Sequence, residues 1–244
     1  VSGSRTFEAA KKLLDERPDS RVAVHNFASA THPGGGVEHG ASAQEECLCR
    51  CSTLYPTLDQ RRFWDGYYQF HRWRRDPLYT DACIYSPGVV VFKSDTDLPE
   101  AMPRKEWYEV DVVTCAAPNL RFMSQVSDDE LFRMHVSRGR RILEVAAANG
   151  ATSLVLGAFG CGAFRNDARV VSDLFYKALK EFNFDGMREK DMFRRIDFAV
   201  LSRSEEMYNF NEFSRNFSHF YRDEDQKDID RALERKKETE IHLD

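Results

Sequence analysis

Residues 21–51 read RVAVHNFASATHPGGGVEHGASAQEECLCRC. Val22 to Phe27 is a short apolar run without helical period, as expected of a buried strand. It passes directly into Gly34-Gly35-Gly36, and the spacing predicts a helix beginning near Ser42 or Ala43. Strand, glycine loop and helix in that order mark one unit of an α/β fold. A glycine triplet is costly, because glycine loses the most conformational freedom on ordering. Its presence implies that the backbone approaches something closely or turns where no Cβ fits. Gln44, Glu45 and Glu46 follow the loop, and adjacent carboxylates there imply that at least one has a chemical task.

The flanking sequence extends the pattern. TFEAAKKLLDE predicts a helix over residues 6–16 that ends before Pro18. CIYSPGVVVF (83–92) reads as a strand pair or as one strand with a Pro-Gly turn. YEVDVVTCAAP (108–118) reads as a buried strand ending at Pro118. SDDELFRMHVSRGRRILEVAAANG predicts a long amphipathic helix capped by Ser127 and stopped at Asn149-Gly150. TSLVLGAFGCGAF gives a further strand and a second glycine loop. The next helix is capped by Asn166 or Asp167, and RIDFAVLS supplies another strand. Strands alternating with helices predict a mostly parallel sheet covered on both faces. Ligands of such sheets sit beyond the carboxyl ends of the strands, the end at which both glycine loops emerge.

Composition narrows the function. The 244 residues are 42% apolar, enough for a sizeable core, and the formal charge is −5. A general nucleic-acid binder would carry a basic excess, so any polyanion must be gripped locally. Six cysteines, Cys47, Cys49, Cys51, Cys83, Cys115 and Cys161, form no disulfide framework in a chain of this length. The CLCRC run lacks the spacing and the second ligand pair of a structural zinc site, so no metal is expected. No apolar run approaches the roughly 18 residues of a membrane span. The expectation is a soluble intracellular protein, cytoplasmic or nuclear. The opening VSGSRTF reads as a processed or truncated start, so targeting information is expected to be missing from it.

Three segments carry competing readings. Cys47, Cys51, Leu54 and Leu58 would share one helix face, a packing role. Ser42 and Glu45 have the spacing of a capping box, which would give Glu45 a structural task. RRFWDGYYQFHRWRRDPLY mixes arginine with aromatics, as RNA binders do, but reads more simply as a solvated connection whose aromatics pack on the core. From about residue 223 the chain is nearly all charge, a frayed tail or solvated helix.

In the second loop, Gly157, Gly160 and Gly162 permit a nest of backbone N–H groups for an anion. The loop lacks the lysine of a P-loop and the spacing of a dinucleotide fingerprint. In the first loop, Glu45 and Glu46 are neighbours on a helix and point about 100° apart. They are not the opposed carboxylates, about 5–9 Å apart, of ordinary glycosidases. One carboxylate in the cleft, acting as general acid and then general base, is the expectation.

These residues carry a resemblance. VHNFASATHPGGGVEHGASAQEECLCRCSTLY resembles the signature of the microbial-type poly(ADP-ribose) glycohydrolases, a divergent branch of the macrodomain fold. That pattern is a GGG triplet, a short spacer and Gln-Glu-Glu; here the spacer between Gly36 and Gln44 is seven residues. LVLGAFGCGAFRND resembles the family's diphosphate loop, and LYTDACIYSPGVVVF and VVTCAAPN are also similar. The resemblance covers roughly residues 5 to 202. His25 departs from it, since an aliphatic residue is expected there.

The resemblance implies a macrodomain-like three-layer α/β/α sandwich with a mixed, mostly parallel sheet. Residues 1–222 would be the catalytic domain and 223–244 a charged tail. It implies Glu46 as the catalytic acid/base and Glu45 as a holder of ribose hydroxyls beside the scissile bond. Asn26 would reach the distal ribose, Gly34, Gly35, Gly36 and Val37 would wrap it, and Gln44 would join the substrate site. Gly160, Cys161, Gly162, Ala163 and Phe164 would cradle the diphosphate. The implied partners are poly(ADP-ribose), ADP-ribose and poly(ADP-ribosyl)ated proteins, met by a monomer that needs no cofactor or metal. Cleavage would run from chain ends. The alternatives are a non-catalytic ADP-ribose reader, which has no use for Glu46, and a mono-ADP-ribosyl hydrolase, for which Gln-Glu-Glu is the wrong local chemistry.

Overall fold

The computed structural model describes residues 1–122, 126–202, 206–218 and 220. The expected charged tail beyond residue 222 lies outside the described residues.

Five strands form one mixed sheet in the order β2-β3-β1-β4-β5. They are β1 (Val22–Phe27), β2 (Ile84–Val91), β3 (Tyr108–Cys115), β4 (Ser153–Leu156) and β5 (Arg195–Phe198). β1 pairs in parallel with both β3 and β4, and β4 with β5, while β2 runs antiparallel to β3. The segment 83–92 is therefore one strand, not two. Its Pro87-Gly88 pair falls where the register with β3 shifts between Ser86 and Val89, because proline cannot donate to a ladder.

Side-chain alternation along β1 assigns the two faces. Val22 and Val24 enter a core with Phe7, Leu48, Leu54 and Leu58, whereas Ala23 enters one with Ile142, Leu143, Leu174 and Phe175. The first face is covered by α1 (Thr6–Glu16), α2 (Gln44–Cys51) and α3 (Leu54–Leu58). The chain continues through α4 (Arg61–Phe63), a π-helical turn (Trp64–Tyr68) and α5 (Gln69–Arg74). The second face is covered by α6 (Asp128–Ala148) and α7 (Ala168–Lys180), with the short α8 (Glu189–Met192) and α9 (Tyr208–Phe217) beyond. The result is the expected three-layer α/β/α sandwich.

Several local expectations change. Residues 60–80 are largely helical where a connection was expected, while Tyr67 and Tyr68 pack into the core as the simpler reading had it. Helix α2 stops at Cys51, and Ser52 takes extended backbone before α3. Cys51, Leu54 and Leu58 remain in the core, but Cys47 lines the cleft described below. The Ser42–Glu45 capping box does not form, since Ala43 is the N-cap and no side chain caps the helix. Glu45 is drawn elsewhere. His25 is accommodated as a neutral core residue, edge-on to Phe27, Phe159 and Phe175, and burial pushes its pKa down to about 3.

Candidate active site

Because β1 and β4 are parallel neighbours, the loops that follow them emerge at the same sheet end. Between them lies a cleft of about 420 Å³, within the size range of small-ligand sites. Its walls include Phe27 at the end of β1, Gly35 from the first loop, Glu45 and Glu46 from α2, and Gly160, Gly162, Ala163 and Phe164 from the second.

Both carboxylates line the cleft, where one was expected, yet their environments differ. Glu45 is 3% exposed. Its Oε2 accepts from the Ser29 backbone N–H (2.7 Å) and its Oε1 from Asn26 Nδ2 (3.2 Å). Burial raises its pKa to about 8, against the lowering effect of these donors, with the Glu46 charge adding to the rise. Each carboxylate oxygen carries a further lone pair, so a ribose hydroxyl can still donate to Glu45. Glu46 is also buried, and its Oε1 accepts from the Gly36 N–H at 2.9 Å. Its Oε2 has no hydrogen-bond partner among the described residues. One oxygen is fixed and the other unclaimed, the arrangement a proton-transfer group requires.

The glycine triplet is explained by these carboxylates. Gly35 has φ +60°, and a Cβ there would stand 2.4 Å from Glu46 Oε1 and 3.1 Å from Glu45 Oε2. Among Gly34, Gly35, Gly36 and Val37, only Gly35 lines the cleft. Val37 packs toward the α1–α3 core. The first loop thus packs against the α2 carboxylates.

Two further expectations are redirected by packing. Asn26 is fully buried and does not line the cleft; its Nδ2 bridges Glu45 and Thr114 Oγ1 (3.2 Å). Gln44 lines the wall, but its amide is engaged internally. Nε2 donates to His25 O (2.8 Å) and Thr6 Oγ1 (3.0 Å), and Oε1 accepts from the Phe27 N–H (2.9 Å). Both residues position α2 against the end of β1.

In the second loop, the backbone N–H groups of Gly162, Ala163 and Phe164 meet no acceptor among the described residues. Three successive free donors form an anion nest. Gly160 has φ +73°, and a Cβ there would lie 2.5 Å from both Ala117 Cβ and Asn166 Nδ2. Cys161 turns away from the cleft toward the core, and burial lifts its thiol pKa to about 12.

Sequence reasoning missed the group that holds this loop. Asn166 is 5% exposed; its Nδ2 donates to Pro118 O (2.9 Å) and Gly160 O (3.1 Å), and its Oδ1 accepts from His135 Nε2 (2.9 Å). The expected capping role falls to Asp167, whose side chain accepts from Arg169 N. Also missed was α9, whose Asn209 closes one side of the cleft. Its Phe213 and Phe217 stack toward Phe198, and those spaced aromatics were the available signal. Among the described residues, no cluster of three or more His, Cys, Asp or Glu side chains is placed to hold a metal ion. No described helix is long and apolar enough to cross a membrane.

Fold and cleft together define a macrodomain-like α/β protein whose cleft is lined by a loop with free backbone N–H groups and by a buried carboxylate pair. The description "Microbial-type PARG, catalytic domain" matches residues 1–94. Poly(ADP-ribose) glycohydrolase from Thermomonospora curvata, solved with the inhibitor ADP-HPD, is 38% identical. The match covers 88% of this chain and 77% of that one, with a TM-score of 0.76. The glycohydrolase from Deinococcus radiodurans in complex with ADP-ribose is 35% identical over 89% of this chain and 82% of that one, with a TM-score of 0.77. None of the curated proteins compared matches this chain. The chain belongs to the microbial-type poly(ADP-ribose) glycohydrolase family.

Proposed function

We propose that this chain hydrolyses the ribose–ribose glycosidic bonds of poly(ADP-ribose), releasing ADP-ribose from chain ends, with Glu46 as the single acid/base. The observation that carries the reading is the asymmetry of Glu46, a cleft-lining residue whose Oε1 is held by Gly36 and whose buried Oε2 has no partner among the described residues. In the forward step the Glu46 carboxyl protonates the departing ribose oxygen as the anomeric carbon takes oxocarbenium character. The resulting carboxylate then removes a proton from the incoming water. A diphosphate in the Gly162–Phe164 nest brings negative charge near the cationic sugar, which offsets the lack of a second, opposed carboxylate. Glu45, fixed by Ser29 and Asn26, is placed to orient ribose hydroxyls. Phe164, on the cleft wall and 6.2 Å from the Tyr79 ring, is placed to pack on the distal ribose.

Product analysis of poly(ADP-ribose) tests this with the wild type and Glu46→Gln. The wild type is expected to release free ADP-ribose. Glu46→Gln should lower turnover by roughly 10²–10⁴-fold, the usual weight of a general acid/base, while ADP-ribose affinity stays within severalfold. Near-wild-type turnover in the variant would remove Glu46 from its role. Binding without release by either protein would favour a reader, and release of oligomers in place of monomer would place the cuts inside the chain.

A further inference from the structure

No residue of the arginine-rich segment from Arg61 to Arg75 lines the cleft, but the segment meets the first glycine loop through Arg72 and His32. Its inner side is core, with Tyr67, Tyr68 and His71 buried. Its outer side is unusual for a soluble domain. Trp73 is 81% exposed, and Arg72 and Arg75 beside it are exposed without a carboxylate partner among the described residues. Of the neighbouring cations, Arg61 pairs with Asp65 and Arg74 with Asp76, while Arg62 lies 4.5 Å from the Phe63 ring centroid. The Arg72 guanidinium lies 5.6 Å from the Trp64 ring centroid, and its Nη2 is 3.3 Å from His32 Nε2. His32 in turn accepts the Gly35 N–H on its carbonyl at 3.1 Å, and Gly35 is the residue packed on Glu46. Arg72 therefore stands two hydrogen bonds from the glycine that packs on the proposed acid/base.

We propose that Arg72, Trp73 and Arg75 bind the ADP-ribose unit that stays on the polymer, the one on the leaving-group side of the bond cut at Glu46. The inference rests on the glycohydrolase reading and specifies how that site meets a polymer. The chemistry matches on three counts. The remaining unit presents an adenine, for which an exposed indole is a stacking platform. It presents a diphosphate, for which guanidinium groups without a carboxylate partner are the complementary donors. A chain of formal charge −5 repels a polyanion overall and needs a local cationic surface to hold one. The Arg72–His32–Gly35 path ties the surface to the glycine loop that packs on Glu46.

The test compares Trp73→Ala/Arg75→Gln, which touches no residue of the glycine loop, with Arg72→Gln/Trp73→Ala and with a charge control. The control, Arg133→Gln/Arg141→Gln, removes two exposed cations from α6. Three quantities are read for each protein: KM and kcat on long poly(ADP-ribose), ADP-ribose affinity, and the salt dependence of KM. Both strip variants should raise the polymer KM at least tenfold while ADP-ribose affinity moves less than twofold. Each lost arginine–phosphate contact should lower the slope of log KM against log salt by about 0.7. The α6 control should change KM less than twofold. An unchanged polymer KM in the strip variants overturns the proposal, as does an equal KM rise in the α6 control. An ADP-ribose affinity that falls in parallel overturns it too, because the effect would then lie in the cleft. So does single-stranded RNA of matched phosphate number displacing the polymer at equal concentration, which would make the strip a nucleic-acid site. A wild type that releases no ADP-ribose removes the parent reading instead, a result distinct from all of these.

Discussion

Gly35 shows how narrowly the carboxylate pair is built. Its backbone lies in the left-handed region, which L side chains adopt at a cost of about 1–2 kcal/mol. A methyl group at its Cα would also collide with Glu46 Oε1 at 2.4 Å. Gly35→Ala is therefore expected to cost about 1–2 kcal/mol of stability from the backbone alone. It should also push the Glu46 carboxylate off the Gly36 N–H, lowering kcat on poly(ADP-ribose) by at least tenfold. Denaturant unfolding and steady-state kinetics on the same preparation read both effects. A variant destabilised but fully active would mean that Glu46 tolerates displacement. The identities of Glu45, Glu46, Gly35 and the Gly160–Phe164 loop were legible in the sequence, because glycine runs and paired acids are rare enough to need a reason. The tasks of Asn26, Gln44 and Cys161 were not. Which way an amide or a thiol turns depends on partners distant in sequence, such as Thr114 and Glu45 around Asn26.

The two loops are held by different elements. The first is tied to the sheet by α2, through Gln44 on the backbone of β1. The second is tied to the segment after β3, where Asn166 reaches Pro118 and Gly160. That segment is fixed in turn by the buried Arg138 of α6, which donates to Ala116 O (2.9 Å) and Leu78 O (3.0 Å) and meets Asp81 (3.1 Å). Asn166→Ala would leave two carbonyls and a histidine N–H without this partner, at about 1–3 kcal/mol for an unsatisfied buried group. Because the nest of free N–H groups lies within the turn that Asn166 closes, the variant should also raise KM for poly(ADP-ribose) about tenfold with a smaller change in kcat. Lost stability with an unchanged KM would mean that the nest keeps its shape without the pin. Helical periodicity made α1, α6 and α7 legible element by element, and a short apolar run made β1 so. The break after Cys51 and the π turn at Trp64–Tyr68 escaped because packing imposes them, whereas α9 carried a signal in its spaced aromatics that was not read.

At the scale of the whole molecule, three buried titratable groups give the stability a defined pH dependence. His25 and His135 are each 1% exposed, and burial pushes their pKa values down to about 3 and about 4 from an ordinary 6.5. The fold keeps both neutral, so below pH 6.5 the unfolded chain takes up protons that the native state refuses. Their contribution is present above the unfolded value and is lost as pH falls toward 4 and 3. Glu45 acts in the opposite sense. Its pKa is raised by burial from 4.5 to about 8, so the fold retains a proton that the unfolded chain releases, and stability is lost as pH rises through that window. The opposing limbs place the stability maximum contributed by these three groups near pH 6.5, where the two unfolded histidines together take up the one proton that Glu45 retains. At about 1.4 kcal/mol per pH unit per proton, His25 alone costs of the order of 2 kcal/mol at pH 5 relative to pH 8. His25→Leu, close in volume and set among Phe27, Phe159 and Phe175, should therefore gain stability on the acid limb and leave the slope of the alkaline limb unchanged. Glu45→Gln should flatten the alkaline limb and steepen the rise from pH 5 to pH 6.5, because the Glu45 window from 4.5 to about 8 spans both. Urea unfolding at pH 5, 6.5 and 8 reads both slopes. If His25→Leu shifted stability equally at pH 5 and pH 8, the imidazole would have to be exchanging protons freely within the fold. The departure at position 25 would then mark a solvated site behind the cleft in place of a sealed core.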